Sequence, residues 1–207
     1  MKIQVLDHGY VELIESWGTG KQGACPTDLD YEVGIIEAAR MSTAKGFEGW
    51  ERDARLLAFL YKNKHATPFE MAGMTIEVAA PIFVFREWHR HRVPFGYNEM
   101  SARYVPLPNE NYIPNAQVLL DRSRAAAKTT NRQASGTDEP LQSLGHAEDT
   151  LTALSLFYSA ADKLYHELLD HGWPKELARL CVPVGRYSRM RATSNLRGWL
   201  AFLTLRM

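Results

Sequence analysis

Cysteine is scarce in this sequence: two residues, Cys25 and Cys181, stand among 207. Two cysteines build neither a disulfide framework nor a repeated metal-ligand spacing, and they point to a reducing compartment. No run reaches about 18 uninterrupted apolar residues, so no membrane-spanning helix is expected. The start, MKIQVLDHGYVELIE, lacks the continuous apolar stretch of a secretory signal. Net charge is absent as well, because 24 Lys and Arg balance 24 Asp and Glu. Proteins that grip bulk nucleic acid carry a strong basic excess. No GxxxxGKS/T phosphate loop occurs, and no internal repeat is visible. The expectation is a cytoplasmic protein with neither membrane nor nucleic acid among its partners.

What is present suits an ordinary core. Hydrophobic residues make up 45% of the chain and aromatics 11%, and the length fits a single domain over residues 1–207. Alternation around Ile3, Val5, Val11 and Leu13 predicts a strand or hairpin. Thr27 or Asp28 is expected to cap a helix running to Arg40, with Leu29, Val33, Ile36 and Ala39 on one face. A second helix is expected from Trp50 to Tyr61 on the stripe Leu56, Leu57, Leu60. His65 to Glu70 reads as a turn around Pro68, Met74 to Val78 as a strand, and Pro81 as the opening of a helix. Residues 109–149 are the least regular, with a flexible surface insertion expected near 125–145. An amphipathic helix follows through Leu151, Tyr158, Leu164 and Leu168, with Gly172 as its stop. Pro174 opens a short helix, and Thr193 or Ser194 is expected to cap the last one. The fold class is α+β, with helices predominating.

The densest functional stretch is Glu87-Trp88-His89-Arg90-His91-Arg92, followed by Asn98-Glu99-Met100-Ser101-Ala102-Arg103. Arginine stays protonated and offers bidentate donors to phosphate and carboxylate, and histidine changes charge near neutral pH. A multiply anionic ligand is the chemistry this implies. Placed on one helix, Glu87, Arg90 and His91 share a side. An isolated Arg-His-Arg would be read as a solvated helix end. The apolar PIFVF run before it and the polar loop after it argue for a site. His89 and His91 diverge on a helix and neighbour arginines, so no metal is expected.

Arg90-His91-Arg92, a short spacer and Ser101-Ala102-Arg103 resemble the signature of the flavin-dependent thymidylate synthase (ThyX) family. The similarity continues through Ala38-Ala39-Arg40-Met41-Ser42, His65-Ala66-Thr67-Pro68-Phe69-Glu70, Ala178 to Pro183, and Asn195-Leu196-Arg197 onward to Arg206. It implies a ThyX-like fold, a central antiparallel sheet with flanking helices, in a homotetramer whose active sites are shared between subunits. FAD would be held by Ser42, Thr67, Glu70, Arg90, His91, Arg92, Asn195 and Arg197. A uridine nucleotide would be bound by Glu87, Arg90, Glu99, Ser101, Ala102, Arg103, Arg179 and Arg206. His65, Arg206 and Ser101 are the catalytic candidates, with His65 near the flavin ring where folate enters. The implied reaction is C5 methylation of the uracil ring with NADPH and 5,10-methylenetetrahydrofolate. Cys181, in an apolar LCVPV run, reads as a small buried hydrophobe rather than a nucleophile.

The sequence also departs from the family pattern. The spacer from Arg92 to Ser101 is one residue longer, and its Pro94-Phe95-Gly96 segment is expected to form a tight turn or 3₁₀ stretch. Glu87 replaces a common Gln, Ala201 a frequent Asn, and Met71 a frequent His. Met207 comes before the family's usual C-terminal Gln-Glu-Ile element. Glu87 is an acceptor-only anion suited to a ribose hydroxyl. With the longer loop, it resembles the branch that methylates UMP in nucleoside-antibiotic (polyoxin) biosynthesis. The competing readings are an ordinary dUMP-specific thymidylate synthase and a non-catalytic homologue that binds flavin or nucleic acid.

Overall fold

The computed structural model describes residues 1–18, 31–126 and 139–206. The expected caps Thr27 and Asp28, Leu29, Cys25 and most of the expected 125–145 insertion lie outside the described residues.

A five-stranded antiparallel sheet forms the centre, in the order β1-β2-β3-β5-β4. Its strands are β1 Lys2–Val5, β2 Gly9–Trp17, β3 Gly73–Pro81, β4 Gly96–Glu99 and β5 Tyr187–Asn195. The helices are α1 Tyr31–Arg40, α2 Trp50–Lys62, α3 Ile82–Trp88, α4 Ala116–Ala126, α5 Leu144–Asp170, α6 Lys175–Ala178 and α7 Leu196–Arg206. The inner sheet face carries Ile76, Val78, Ala80, Met190 and Ala192, which pack against Phe85 of α3 and Trp199 of α7. Burying a side chain such as Phe85 contributes on the order of 2 kcal/mol. A second cluster joins Ile35 of α1, Leu60 of α2 and Phe69, with Leu196 and Leu200 of α7 against it. Helix α7 belongs to both cores, which ties the sheet to the helical layer.

β5 lies between β3 and β4, and its register pairs Glu99 with Met190 and Glu77 with Arg191. Along it, Ser188, Met190, Ala192 and Ser194 are buried while Arg189, Arg191 and Thr193 are exposed. Because Thr193 and Ser194 belong to this strand, neither caps α7. Asn195 does so instead, its Oδ1 accepting from the Gly198 N–H at 3.0 Å.

Three further expectations change. Residues 116–126 are helical, not irregular; Asn115 caps them, its Oδ1 accepting from the Gln117 N–H at 2.9 Å. The Pro94-Phe95-Gly96 segment is a bend, not a 3₁₀ stretch, because Gly96 already pairs with Thr193 in β4. The Arg-His-Arg motif lies beyond its helix, since α3 ends at Trp88 with His89 as its C-cap. Arg90 N–H to Glu87 O (3.3 Å) and His91 N–H to Trp88 O (3.0 Å) tighten that last turn. The Tyr97 hydroxyl then donates to His91 O at 2.6 Å and fixes the chain leaving it. Burial of Tyr97 pushes its pKa up to about 12, so it stays a donor across the working pH range.

The long helix α5 starts at Ser143, whose Oγ accepts from the His146 N–H at 3.3 Å. It stops at Gly172, which takes a φ of +78° that other residues resist. Among the described residues no helix is long and apolar enough to cross a membrane.

Candidate functional site

A cleft of about 630 Å³ opens between α3, the 99–107 segment and the 179–184 segment. Arg86, Glu99, Ser101, Ala102, Arg179 and Ser188 are among its lining residues. The fold thus brings together four of the residues predicted to bind a nucleotide: Glu99, Ser101, Ala102 and Arg179. Ser188 is 1% exposed and, among the described residues, its Oγ has no hydrogen-bond partner. Arg86 and Ser188 were not read from the sequence as site residues. Arg86 carried the signal of a cation one turn before Arg90, whereas Ser188 lies in a strand that the hydrophobic pattern hides. The two arginines and the hydroxyl-bearing wall suit an anion attached to a polar body.

Ser101 turns locally: its Oγ accepts from the Arg103 N–H at 3.3 Å. Among the described residues no basic side chain hydrogen-bonds that hydroxyl, so the structure gives Ser101 no activating partner for nucleophilic work. Arg103 stands at the rim, with its Nε 3.9 Å from Glu176 of α6. Lys175 donates to Tyr104 O at 2.9 Å and holds the same loop.

A second group forms at the C-terminal end of α3. The Arg206 Nε–H donates to His91 Nε2 at 2.9 Å, and an Arg206 terminal nitrogen lies 3.8 Å from Glu87 Oε2. His91 also packs edge-on against Phe202 at 4.8 Å. Its pKa is held below the usual histidine value by partial burial and by the Arg206 charge, against a smaller opposing pull from Glu87. Arg90 and Arg92 are exposed and, among the described residues, make no ion pair. The Pro94-Phe95-Gly96 part of the long spacer does not line the cleft. Phe95 stacks on Tyr97 at 5.7 Å and meets Trp199 edge-on at 4.8 Å.

The third group surrounds a small hollow lined by Tyr61, Lys64, His65, Phe69, Arg197 and Leu200. His65 is exposed and lies edge-on to Phe59 at 5.7 Å. Glu70 pairs with Arg197 at 2.5 Å, and Thr67 is exposed at the start of the same 3₁₀ turn. Asn195 sits nearby as the α7 cap. Ser42 is exposed after α1, its hydroxyl bonded back to Ala39 O at 3.4 Å.

Several polar residues serve the frame. Arg40 is buried and paired with the fully buried Asp53, and also bonds Glu48 (2.9 Å) and Gly46 O (2.8 Å). Arg186, fully buried, bonds Asp162 at 2.8 Å and Pro108 O at 3.0 Å. Cys181 is half-buried, its thiol donating to Ala178 O at 3.2 Å, away from a reactive setting.

Residues 27–207 match the family described as thymidylate synthase complementing protein. The flavin-dependent thymidylate synthase of Thermotoga neapolitana is 34% identical over 210 residues, spanning 100% of this chain and 80% of that protein. The flavin-dependent thymidylate synthase of Streptomyces coelicolor is 36% identical over 206 residues, spanning 99% and 78%. Among solved structures, the UMP/dUMP methylase PolB from Streptomyces cacaoi bound with 5-Br dUMP superposes with a TM-score of 0.74 at 31% identity, covering 97% of this chain and 79% of that one. The same enzyme bound with 5-Br UMP gives a TM-score of 0.69 at 28% identity, covering 94% and 75%.

Proposed function

This chain belongs to the flavin-dependent thymidylate synthase family, and from that premise we propose that it methylates C5 of the uracil ring of a uridine monophosphate, favouring UMP over dUMP. The observation that carries this reading is the cleft that gathers Glu99, Ser101, Ala102 and Arg179 beside Arg86. Guanidinium groups there offer the nucleotide phosphate charge-assisted donors. PolB, the structural relative with both sugars bound, is described as acting on UMP and dUMP.

The residues present fit FAD. Arg90 and Arg92 are exposed guanidinium groups that pair with no acid among the described residues, as a diphosphate would require. His91, Thr67, Glu70, Arg197, Asn195 and Ser42 complete the proposed holding set. When bound, FAD reduced by NADPH would supply the reducing equivalents that complete the methyl group, and methylenetetrahydrofolate would supply its carbon. The chain's own part is placement and electrostatics. Arg206 has further N–H groups beyond its bonds to His91 Nε2 and Glu87 O, and these would stabilise the negative charge that builds on the uracil carbonyls as C5 becomes nucleophilic. His65 lines the exposed hollow, and its proposed role is to sit near the flavin ring, where folate would enter.

The proposed holding groups occupy separate parts of one chain, which supports shared sites in a homotetramer. Exposed apolar side chains on α5, Leu156 and Phe157, suit such an assembly. Glu87 supports the UMP preference: its side chain is 72% exposed beside Arg206, where it can accept from a ribose 2′-hydroxyl. The second reading, dUMP alone, is favoured by the names of the sequence relatives, which are thymidylate synthases. Steady-state comparison of UMP with dUMP separates the two. A kcat/KM higher for UMP is expected, and a strong dUMP preference rejects the UMP assignment.

A further inference from the structure

His89 precedes the Arg-His-Arg motif and has had no role so far. As the C-cap of α3 it reaches across to the β4–β5 pair, where Glu99 and Met190 are register partners. Its Nε2 lies 3.1 Å from Met190 Sδ and 4.0 Å from Glu99 Oε2. A thioether sulfur has no proton to give, so Nε2 carries the hydrogen and donates. The Glu99 carboxylate lies near the same nitrogen, at a distance that is electrostatic rather than a hydrogen bond. His91 has the opposite arrangement, since its Nε2 accepts from Arg206.

Glu99 needs such a partner. On β4 its side chain shares the inner sheet face with Tyr97, while Gly96 and Asn98 are exposed on the other side. A carboxylate on that half-buried face is costly unless a donor or cation meets it. The His89 ring is fixed by an edge-on contact with Tyr97 at 5.2 Å and by the buried sulfur of Met190. A phenylalanine would fill that space equally well, so packing alone does not call for a nitrogen.

We infer that His89 is a positioning residue for nucleotide recognition: its Nε2–H, anchored on Met190, holds the Glu99 carboxylate at the wall of the nucleotide cleft. This rests on the reading of that cleft as the nucleotide site. The ligand class is a uridine monophosphate whose N–H or hydroxyl donors bond Glu99, and His89 acts only through Glu99.

The test is a double-mutant cycle on nucleotide binding. Kd for UMP and for dUMP is measured by calorimetry on flavin-loaded wild-type protein, His89→Phe, Glu99→Gln and the double variant. His89→Phe is expected to weaken binding by roughly fivefold, as loss of one polar contact does. The double variant is expected to bind no more weakly than Glu99→Gln, because the His89 effect passes through Glu99. His89→Gln, whose side-chain amide N–H falls close to the histidine Nε2 position, is expected to recover most of the loss, and flavin retention is expected to stay constant across the set. Wild-type affinity in His89→Phe, or multiplying losses in the double variant, overturns the positioning role while leaving the cleft reading intact. Wild-type protein that binds neither nucleotide overturns the cleft reading and this inference with it.

Discussion

The Arg206 Nε–H donates to His91 Nε2 over 2.9 Å, and that bond exists only while the imidazole is neutral. Burial and the Arg206 charge both hold the His91 pKa below its ordinary value of 6.5. As pH falls, the unfolded chain therefore takes up this proton before the folded one does. The contribution to stability is complete above pH 6.5 and is lost as pH drops through the lower folded pKa. His91→Gln retains an acceptor that does not titrate. Its melting temperature is expected to fall less than the wild-type value between pH 7.5 and 5.5; equal falls would remove His91 from the acid response.

Arg186 and Asp162 tie β5 to α5 through a 2.8 Å bond at a fully buried guanidinium. Removing one partner strands the other charge, which costs about 3–5 kcal/mol in buried pairs. Asp162→Ala is expected to lose stability of that order in urea unfolding. Combining it with Arg186→Leu should recover part of the loss, because no charge then remains unpaired. A double variant as unstable as the sum of the singles contradicts this account.

Ser188 is a buried hydroxyl in the cleft wall, without a partner among the described residues. In protein free of nucleotide, Ser188→Ala removes an unsatisfied group and is expected to be neutral or to stabilise by up to about 1 kcal/mol. A clear loss of stability in the free protein would mean that the hydroxyl is already satisfied.

Glu87 carries the proposed sugar preference. Glu87→Gln exchanges an acceptor-only anion for an amide and relieves the charge opposite Arg206. The UMP to dUMP ratio of kcat/KM is expected to fall several-fold, and an unchanged ratio removes Glu87 from sugar selection.

Elements with a long amphipathic period, α2 and α5, were legible in the sequence, as was the largely apolar run of α7, with Pro81 opening α3 and Gly172 ending α5. β5 was not, although it holds the sheet together. Of its inward positions, Ser188, Ala192 and Ser194 are small or polar and only Met190 is a large apolar residue, so its period of two carries little hydrophobic contrast. Missing β5 displaced the α7 cap from Asn195 to its strand neighbours. The Arg-His-Arg motif was legible as chemistry but not as geometry: the helix that introduces it ends a turn early, where tightened hydrogen bonds take over. For the site, Glu99, Ser101, Ala102 and Arg179 were read from the sequence and share one cleft. Arg86 and Ser188 were missed because their proximity depends on the packing of α3 against β5.

The most direct measurement supplies the protein with FAD, NADPH, methylenetetrahydrofolate and equal amounts of UMP and dUMP, and follows both 5-methylated nucleotides by mass spectrometry. The account predicts methylation of both, with 5-methyl-UMP formed faster. Protein that binds flavin and oxidises NADPH yet methylates neither nucleotide would contradict it.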